Sequence, residues 1–284
     1  MPEGSYRFPV GSLWCTALSD GYHAYPTEWF FPNAEPAALA EALEKRRMPQ
    51  ESILSPYTCL LIETGQRVAL VDTGAGAVSQ TTGAIAARLE MAGIRPKDVD
   101  TVVLTHAHPD HLGGALNARG RPQFPNAVHY IAEREYEFWS APRRNLTGMR
   151  LPDDTRRFME ETARRCLEPL RHQIEPVEGE NEILPGVRIL PAPGHTPGHL
   201  ALLLDSGGQQ LLNLGDAAVH PLHLEHPEWE NGFDLSPEVA AATRRSLLER
   251  AAAARMHVMA FHFPYPSVGR VEARNGAWEW IPGW

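Results

Sequence analysis

Four side chains able to bind a metal fall within six residues of this 284-residue sequence: His106, His108, Asp110 and His111, in the segment Thr105-His106-Ala107-His108-Pro109-Asp110-His111. Imidazole nitrogens and carboxylate oxygens together suit divalent ions such as zinc, iron, manganese or cobalt. An ion held this way can acidify a water and polarise the bond that the water attacks. His106 and His108, two apart, can point the same way from extended backbone. Asp110 and His111 lie beyond a proline, on the first turn of the next element, and can face a second point. One short segment can thus serve two metals.

Three more candidates share one feature, a position at the end of an apolar run. His195 sits in Pro193-Gly194-His195-Thr196-Pro197-Gly198-His199, Asp216 ends Leu212-Asn213-Leu214-Gly215-Asp216, and His262 ends Met259-Ala260-Phe261-His262. Strands supply a rigid base and loops supply approach, so side chains at several strand ends suggest a site built at one rim of a sheet sandwich.

The elements that must position these groups read as an α/β protein in which helices cover sheets. Apolar, β-branched runs predict strands at 13–18, 57–63, 68–72, 101–105, 128–131, 187–190, 200–204, 211–214 and 257–261. The turns at Thr64-Gly65-Gln66 and Ser206-Gly207-Gly208 make neighbours antiparallel, so the pattern is not a simple parallel alternation. Helices are expected at 36–47, 80–92, 153–171 and 239–254, the last with Ser236 as a hydroxyl cap and Pro237 in its first turn. The tryptophan-rich end, Trp278 to Trp284, reads as an edge strand or a subunit contact. No linker or repeat interrupts the chain, which predicts a single domain over residues 1–284.

The order T-H-x-H-x-D-H, then G-H-T-P-G-H, then G-D and a late histidine, preceded by Val71-Asp72-Thr73-Gly74, resembles that of the metallo-β-lactamase superfamily over nearly the whole chain. Ala17-Leu18-Ser19-Asp20-Gly21, Ala242-Thr243-Arg244-Arg245 and His262-Phe263-Pro264-Tyr265-Pro266 are most similar to its branch of quorum-quenching lactonases and methyl parathion hydrolase-like enzymes. The resemblance implies an αββα sandwich of two mixed sheets. It implies that His106, His108 and His195 hold one metal, that Asp110, His111 and His262 hold a second, and that Asp216 bridges them. Asp72 would orient the loop and a ligand histidine without binding metal itself. Two divalent ions, zinc by family habit, would share a hydroxide that cleaves a small uncharged lactone, ester or phosphotriester, with Asp110 as the acid positioned to move a proton.

Some positions depart from that pattern or stay open. Where these lactonases often carry a tyrosine three residues beyond the bridging aspartate, this chain has Val219, which weakens transfer of the acyl-homoserine-lactone substrate. His220, the next residue, could supply a hydrogen bond to substrate instead. The segment His220–His226 reads first as a solvated loop and second as a pocket wall. Phe263 and Trp229 are candidates for an apolar pocket mouth. His199 reads as structural, His23, His129, His172 and His257 as packed or solvated side chains, and Asp20 and Asp98 as turn acids.

Composition narrows the alternatives. The formal net charge of −9 gives no purchase on phosphate backbones, which argues against nucleic acid as a partner and against a nuclease. No apolar stretch approaches the roughly 20 residues of a membrane span, and the start of the chain lacks a leader pattern, so a cytoplasmic, soluble protein is expected, with room for a homodimer. Three scattered cysteines suggest neither disulfides nor thiolate ligands. The rivals are a glutathione thioester hydrolase, which would need a basic carboxy-terminal helical piece, an iron-dependent redox enzyme, and a non-catalytic metal-binding sensor.

Overall fold

Cys59, Leu60, Leu61 and Ile62 are all buried. Alternate residues serve different cores: Cys59 and Leu61 pack with Ile85, Leu89, Met159 and Leu167, while Leu60 and Ile62 pack with Val187, Ile189, Leu202 and Leu204. A strand apolar on both sides must lie in an inner layer. A third cluster joins Ala201, Leu203, Leu212 and Val258 to Leu247, Leu248 and Ala251. Helix, sheet, sheet and helix follow in that order, as the resemblance implied.

The computed structural model describes residues 4–284, so of the stretch read above for a leader, residues 1–3 lie outside the described residues. The first sheet contains β1 (Ser5–Val10), β2 (Leu13–Pro26), β3 (Ser52–Glu63), β4 (Val68–Val71), β5 (Thr101–Val103), β6 (Val128–Ala132) and β7 (Ile174–Val177) in that spatial order. The second contains β8 (Asn181–Leu184), β9 (Val187–Pro191), β10 (Leu200–Ser206), β11 (Gln209–Asn213), β12 (His257–Met259), β13 (Val268–Arg274) and β14 (Ala277–Pro282), with β14 at the edge expected for the tryptophan-rich end. Both sheets are mixed: β3–β4 and β10–β11 are the anticipated antiparallel pairs, while β4–β5 and β11–β12 run parallel.

The helices are α1 (Thr27–Phe30), α2 (Pro36–Lys45), α3 (Ile85–Met91), α4 (Pro109–Leu112), α5 (Glu133–Ser140), α6 (Asp153–Leu170), α7 (Leu222–Glu225) and α8 (Pro237–Ala254). On α8 the buried positions Ala240, Arg244, Leu247, Leu248 and Ala251 form one stripe at helical spacing, which seats the helix on the second sheet. No helix among the described residues is long and apolar enough to cross a membrane.

Several boundaries differ from expectation for local reasons. The hydroxyl of Ser236 makes no capping bond; its carbonyl accepts Ala240 N–H at 2.9 Å, and Pro237 alone starts the helix. The helix expected from residue 80 begins at Ile85, because Gly83 takes φ +90° and the Thr82 hydroxyl is bonded to the Gly76 carbonyl. β2 and β3 run on through 19–26 and 52–56, where half-exposed polar residues hide the strand signal. The strands β1, β7, β8 and β13 and the helix α5 have no counterpart in the expected set.

Candidate metal centre and substrate cavity

β4 and β5 run parallel into one rim, and the chain leaves both through a tied crossing. Asp72 sits just past β4 at φ +60° and donates its N–H to the Val103 carbonyl at 2.8 Å. Its carboxylate accepts Thr105 N–H at 2.8 Å, the Thr105 hydroxyl at 2.8 Å and Nδ1 of His111 at 2.8 Å. The N–H of Thr105 is therefore bonded to Asp72 and not to a neighbouring strand of its sheet, its carbonyl accepts Leu200 N–H from β10 at 2.8 Å, and β5 stops at Val103. Asp72, expected to orient a ligand histidine, contacts His111. Thr73 and Gly114 pass so close that a Cβ on Gly114 would lie 2.0 Å from the Thr73 carbonyl oxygen, so the turn out of α4 admits only glycine there.

The seven residues expected at the metals converge. Ligand atoms of His106, His108 and His195 lie within 4.8 Å of one another, as do those of Asp110, His111 and His262, and those of His106, His111 and Asp216. Nε2 of His195 is 3.0 Å from Nδ1 of His108 and 3.4 Å from Oδ2 of Asp216. Nε2 of His262 lies 3.1 Å from Oδ2 of Asp216 and 3.3 Å from Oδ2 of Asp110, and Nε2 of His111 lies 3.3 Å from Oδ1 of Asp216. Asp216 thus stands between the two groups.

The bonding on the far side of each ring tells what the near side offers. Nδ1 of His262 lies 2.8 Å from the Ser55 hydroxyl, which can donate or accept, and 3.1 Å from the Pro56 carbonyl, which can only accept, so a hydrogen on Nδ1 satisfies both and leaves Nε2 of the neutral ring as a lone pair. Nδ1 of His111 donates to Asp72, and Nδ1 of His195 donates to Oδ1 of Asp234 at 2.8 Å. Lone pairs of His111, His195 and His262 therefore point at carboxylate oxygens, an arrangement that repels itself unless cations lie between. Nε2 of His106, of His108 and of His111 and Oδ1 of Asp216 are buried without hydrogen-bond partners. This donor set fits two divalent ions, and it contains nitrogen and oxygen alone; Cys15, Cys59 and Cys166 are buried elsewhere as free thiols.

Charge in the cluster follows burial first and neighbours second. Burial, reinforced by the adjacent histidines, drives the charged forms of His106 and His108 well below the ordinary histidine range. Burial opposes charge on His111 and His262 too, yet the carboxylates of Asp216 and Asp110 outweigh it and hold both up. Asp216 is held well below the usual carboxylate range, burial notwithstanding, by His262 and His111. Without cations, the carboxylates thus favour a positive charge on His111 and His262 and not on His106 or His108.

Residues that the sequence reading passed over support the cluster from outside. Asp234 holds His195, and its other oxygen faces the buried Arg244 at 3.6 Å. Arg244 also donates to the carbonyls of Ala217 and Trp229, at 2.8 and 3.0 Å, which ties α8 to the loop beyond Asp216. Glu135 on α5 is wholly buried and accepts Ala107 N–H at 3.0 Å, Gly198 N–H at 2.9 Å and the Trp139 indole N–H at 2.7 Å. One carboxylate so clamps the loops of His106–His108 and His195 together. Asp20, expected as a turn acid, is buried and accepts Ala75 and Ile85 N–H; burial raises its acid to about 6 despite those bonds. His199 is structural, as expected.

A cavity of about 360 Å³ opens onto Asp110, Asp216 and His262. Its walls are Tyr25, Trp29, Phe30, Phe233, Phe158 and Met159, with Tyr57 and Val219 near the acids, and no lysine or arginine lines it. The three residues expected at this pocket lie off it. His220 is buried against Phe31, its Nδ1 accepting Leu222 N–H at 3.1 Å. Trp229 stacks on His226 at 3.8 Å, and Phe263 turns into the core beyond the second sheet, edge-on to Trp280. The segment after Asp216 is not a solvated loop: His220 and His223 are buried, and α7 runs through it. His23, read as an ordinary side chain, lies on the cavity wall.

Residues 53–254 match the family model of the metallo-beta-lactamase superfamily. The chain is 30% identical over 224 residues to the N-acyl homoserine lactonase AiiA of Bacillus thuringiensis subsp. kurstaki, covering 71% of this chain and 78% of the relative. Among solved structures, AidC, a dizinc quorum-quenching lactonase in complex with a product, superposes with a TM-score of 0.94 at 26% identity, over 99% of this chain and 98% of that one. The hydrolase AbOPH of the beta lactamase superfamily superposes with a TM-score of 0.90 at 26% identity, over 100% of this chain and 99% of that one.

Proposed function

The chain belongs to the metallo-β-lactamase superfamily and is a metallo-hydrolase, and from that premise we propose that it opens a small uncharged lactone or cleaves a kindred ester, carrying two zinc ions. His106, His108 and His195 would hold one ion and Asp110, His111 and His262 the other, with Asp216 standing between the two groups. When bound, the ions acidify a water and polarise the substrate oxygen. The side chains do the rest. Asp72 and Asp234 fix the hydrogen of their histidines on the far nitrogen, which leaves the near one as a lone pair. Asp110, the more exposed of the two acids in the cluster, takes the proton released by the attacking water and returns it to the leaving oxygen. Trp29, Phe30 and Phe233 exclude water from the apolar part of the substrate.

The observation that carries the substrate class is the cavity wall. Aromatic and aliphatic side chains make up most of it and no lysine or arginine lines it, which suits a neutral acyl group and leaves an anionic group no partner apart from the metals. Glutathione, anionic at its carboxylates, is disfavoured on the same ground. The test is a panel of N-acyl lactones, aryl esters, phosphotriesters and glutathione thioesters given to the zinc-loaded enzyme. The lactones and esters should turn over with the highest kcat/KM. Turnover of the glutathione thioester alone would refute this reading.

A further inference from the structure

Two tyrosines from neighbouring strands of the first sheet meet inside the cavity. Tyr25 lies near the end of β2 and Tyr57 within β3, and their hydroxyls are hydrogen-bonded to each other. Two hydroxyls carry two hydrogens, and the bond between them uses one. Neither has another hydrogen-bond partner among the described residues. One O–H is therefore left to donate, and both residues line the cavity.

The pair stands on the Asp110 side of the site. The Tyr57 ring packs edge-on against His262, with centroids 5.4 Å apart. A phenol is neutral near pH 7, so the pair offers the cavity a neutral donor. Around them Tyr25 is packed by Trp29, Phe30 and Phe233, at centroid distances of 5.4 to 6.2 Å, so rings hold its geometry.

We propose that the Tyr25–Tyr57 hydroxyl pair donates a hydrogen bond to the leaving oxygen of the substrate. The inference rests on the hydrolase reading above. Hydrolysis adds the water oxygen to the acyl carbon, breaks the acyl C–O bond and leaves that bond's electron pair on the leaving oxygen, which then takes up a proton the water has released. Asp110 carries that proton, so the leaving oxygen must lie near Asp110, where the pair also lies. Donation steadies the charge before the proton arrives, and Val219, three residues beyond Asp216, has no group that could do the same.

The test uses full-length zinc-loaded protein and the variants Tyr25→Phe, Tyr57→Phe and the double variant, which keep the rings and remove the hydroxyls. A series of esters with leaving groups from nitrophenol to simple alcohols, with an alkyl lactone at the poor end, reads the effect. Loss of a bond to a developing charge predicts a fall in kcat/KM of about 10- to 100-fold on the lactone. The fall should shrink below about 3-fold on the nitrophenyl ester, whose leaving oxygen needs no donor. The plot of rate against leaving-group pKa should steepen, and the double variant should resemble either single one, since the pair acts as a unit. An equal fall across the series, no fall, or loss of zinc from the variants would overturn the proposal. A wild-type protein that cleaves none of these esters would bring down the hydrolase reading itself, whereas an active wild type with parallel plots would remove only the role of the pair.

Discussion

The backbone N–H of Asp216 points at Nε2 of His199 across 2.9 Å. The other ring nitrogen of His199 lies 3.0 Å from the Ala192 carbonyl, which can only accept, so His199 is a neutral ring with a fixed tautomer. Burial agrees, holding its charged form down to about 3. The carboxylate between the two histidine groups is thus aimed by a ring that does not line the cavity.

Replacing that ring should loosen the carboxylate. His199→Leu is expected to weaken divalent metal binding about 10- to 100-fold, the usual cost of losing a group that orients a ligand. Competition with a chromophoric chelator measures it, and an unchanged affinity would mean that Asp216 is held by its own turn.

Asp72 and Asp234 each hold one histidine, but on different sides of Asp216. Asp234→Asn should release the ion of His106, His108 and His195 first, and Asp72→Asn the ion of Asp110, His111 and His262, each by about 10- to 100-fold. At a limiting chelator concentration either variant should retain one equivalent of metal where the wild type retains two. Equal loss of both ions from either variant would contradict the division into two groups.

Glu135 accepts from two backbone N–H groups and an indole. A glutamine offers one acceptor oxygen in place of two, so Glu135→Gln leaves at least one buried donor unmatched, at a cost of about 1–3 kcal/mol. Denaturant unfolding of the apo protein should show a lower midpoint with an unchanged slope. A midpoint equal to that of the wild type would show that the clamp adds nothing.

Buried His129 makes the fold sensitive to acid apart from the metal centre. Burial lowers its charged form to about 4 from an ordinary 6.5. The unfolded chain takes up a proton near 6.5 and the folded one only near 4. Its contribution is therefore full above pH 6.5 and is lost as pH falls toward 4, by about 3 kcal/mol. His129→Leu should lose less stability than the wild type between pH 7 and pH 4.5; identical losses would exclude His129 as a cause.

The candidate ligands were legible because they gather at the ends of apolar runs, and strand ends are where a sandwich gathers side chains. Asp72 was legible through the family resemblance. Asp234 and Glu135 were not, since each acts across 39 and 28 residues of sequence and nothing local marks either carboxylate. The cavity was misjudged because nearness in sequence stood in for nearness in space. Phe263 follows His262 directly, yet consecutive side chains leave the backbone in different directions, and Phe263 enters the core while His262 faces the acids. Tyr25 and Trp29 come from the part of β2 and the turn after it that the half-exposed pattern conceals.

The central claim is a two-ion hydrolase, and the most direct test titrates zinc into metal-free protein while following lactone ring opening in the same samples. The account predicts that activity climbs with added zinc, levels off at two ions per chain and disappears on chelation. A plateau at one ion or fewer, or full loading at two ions with no ring opening on any lactone, would contradict it.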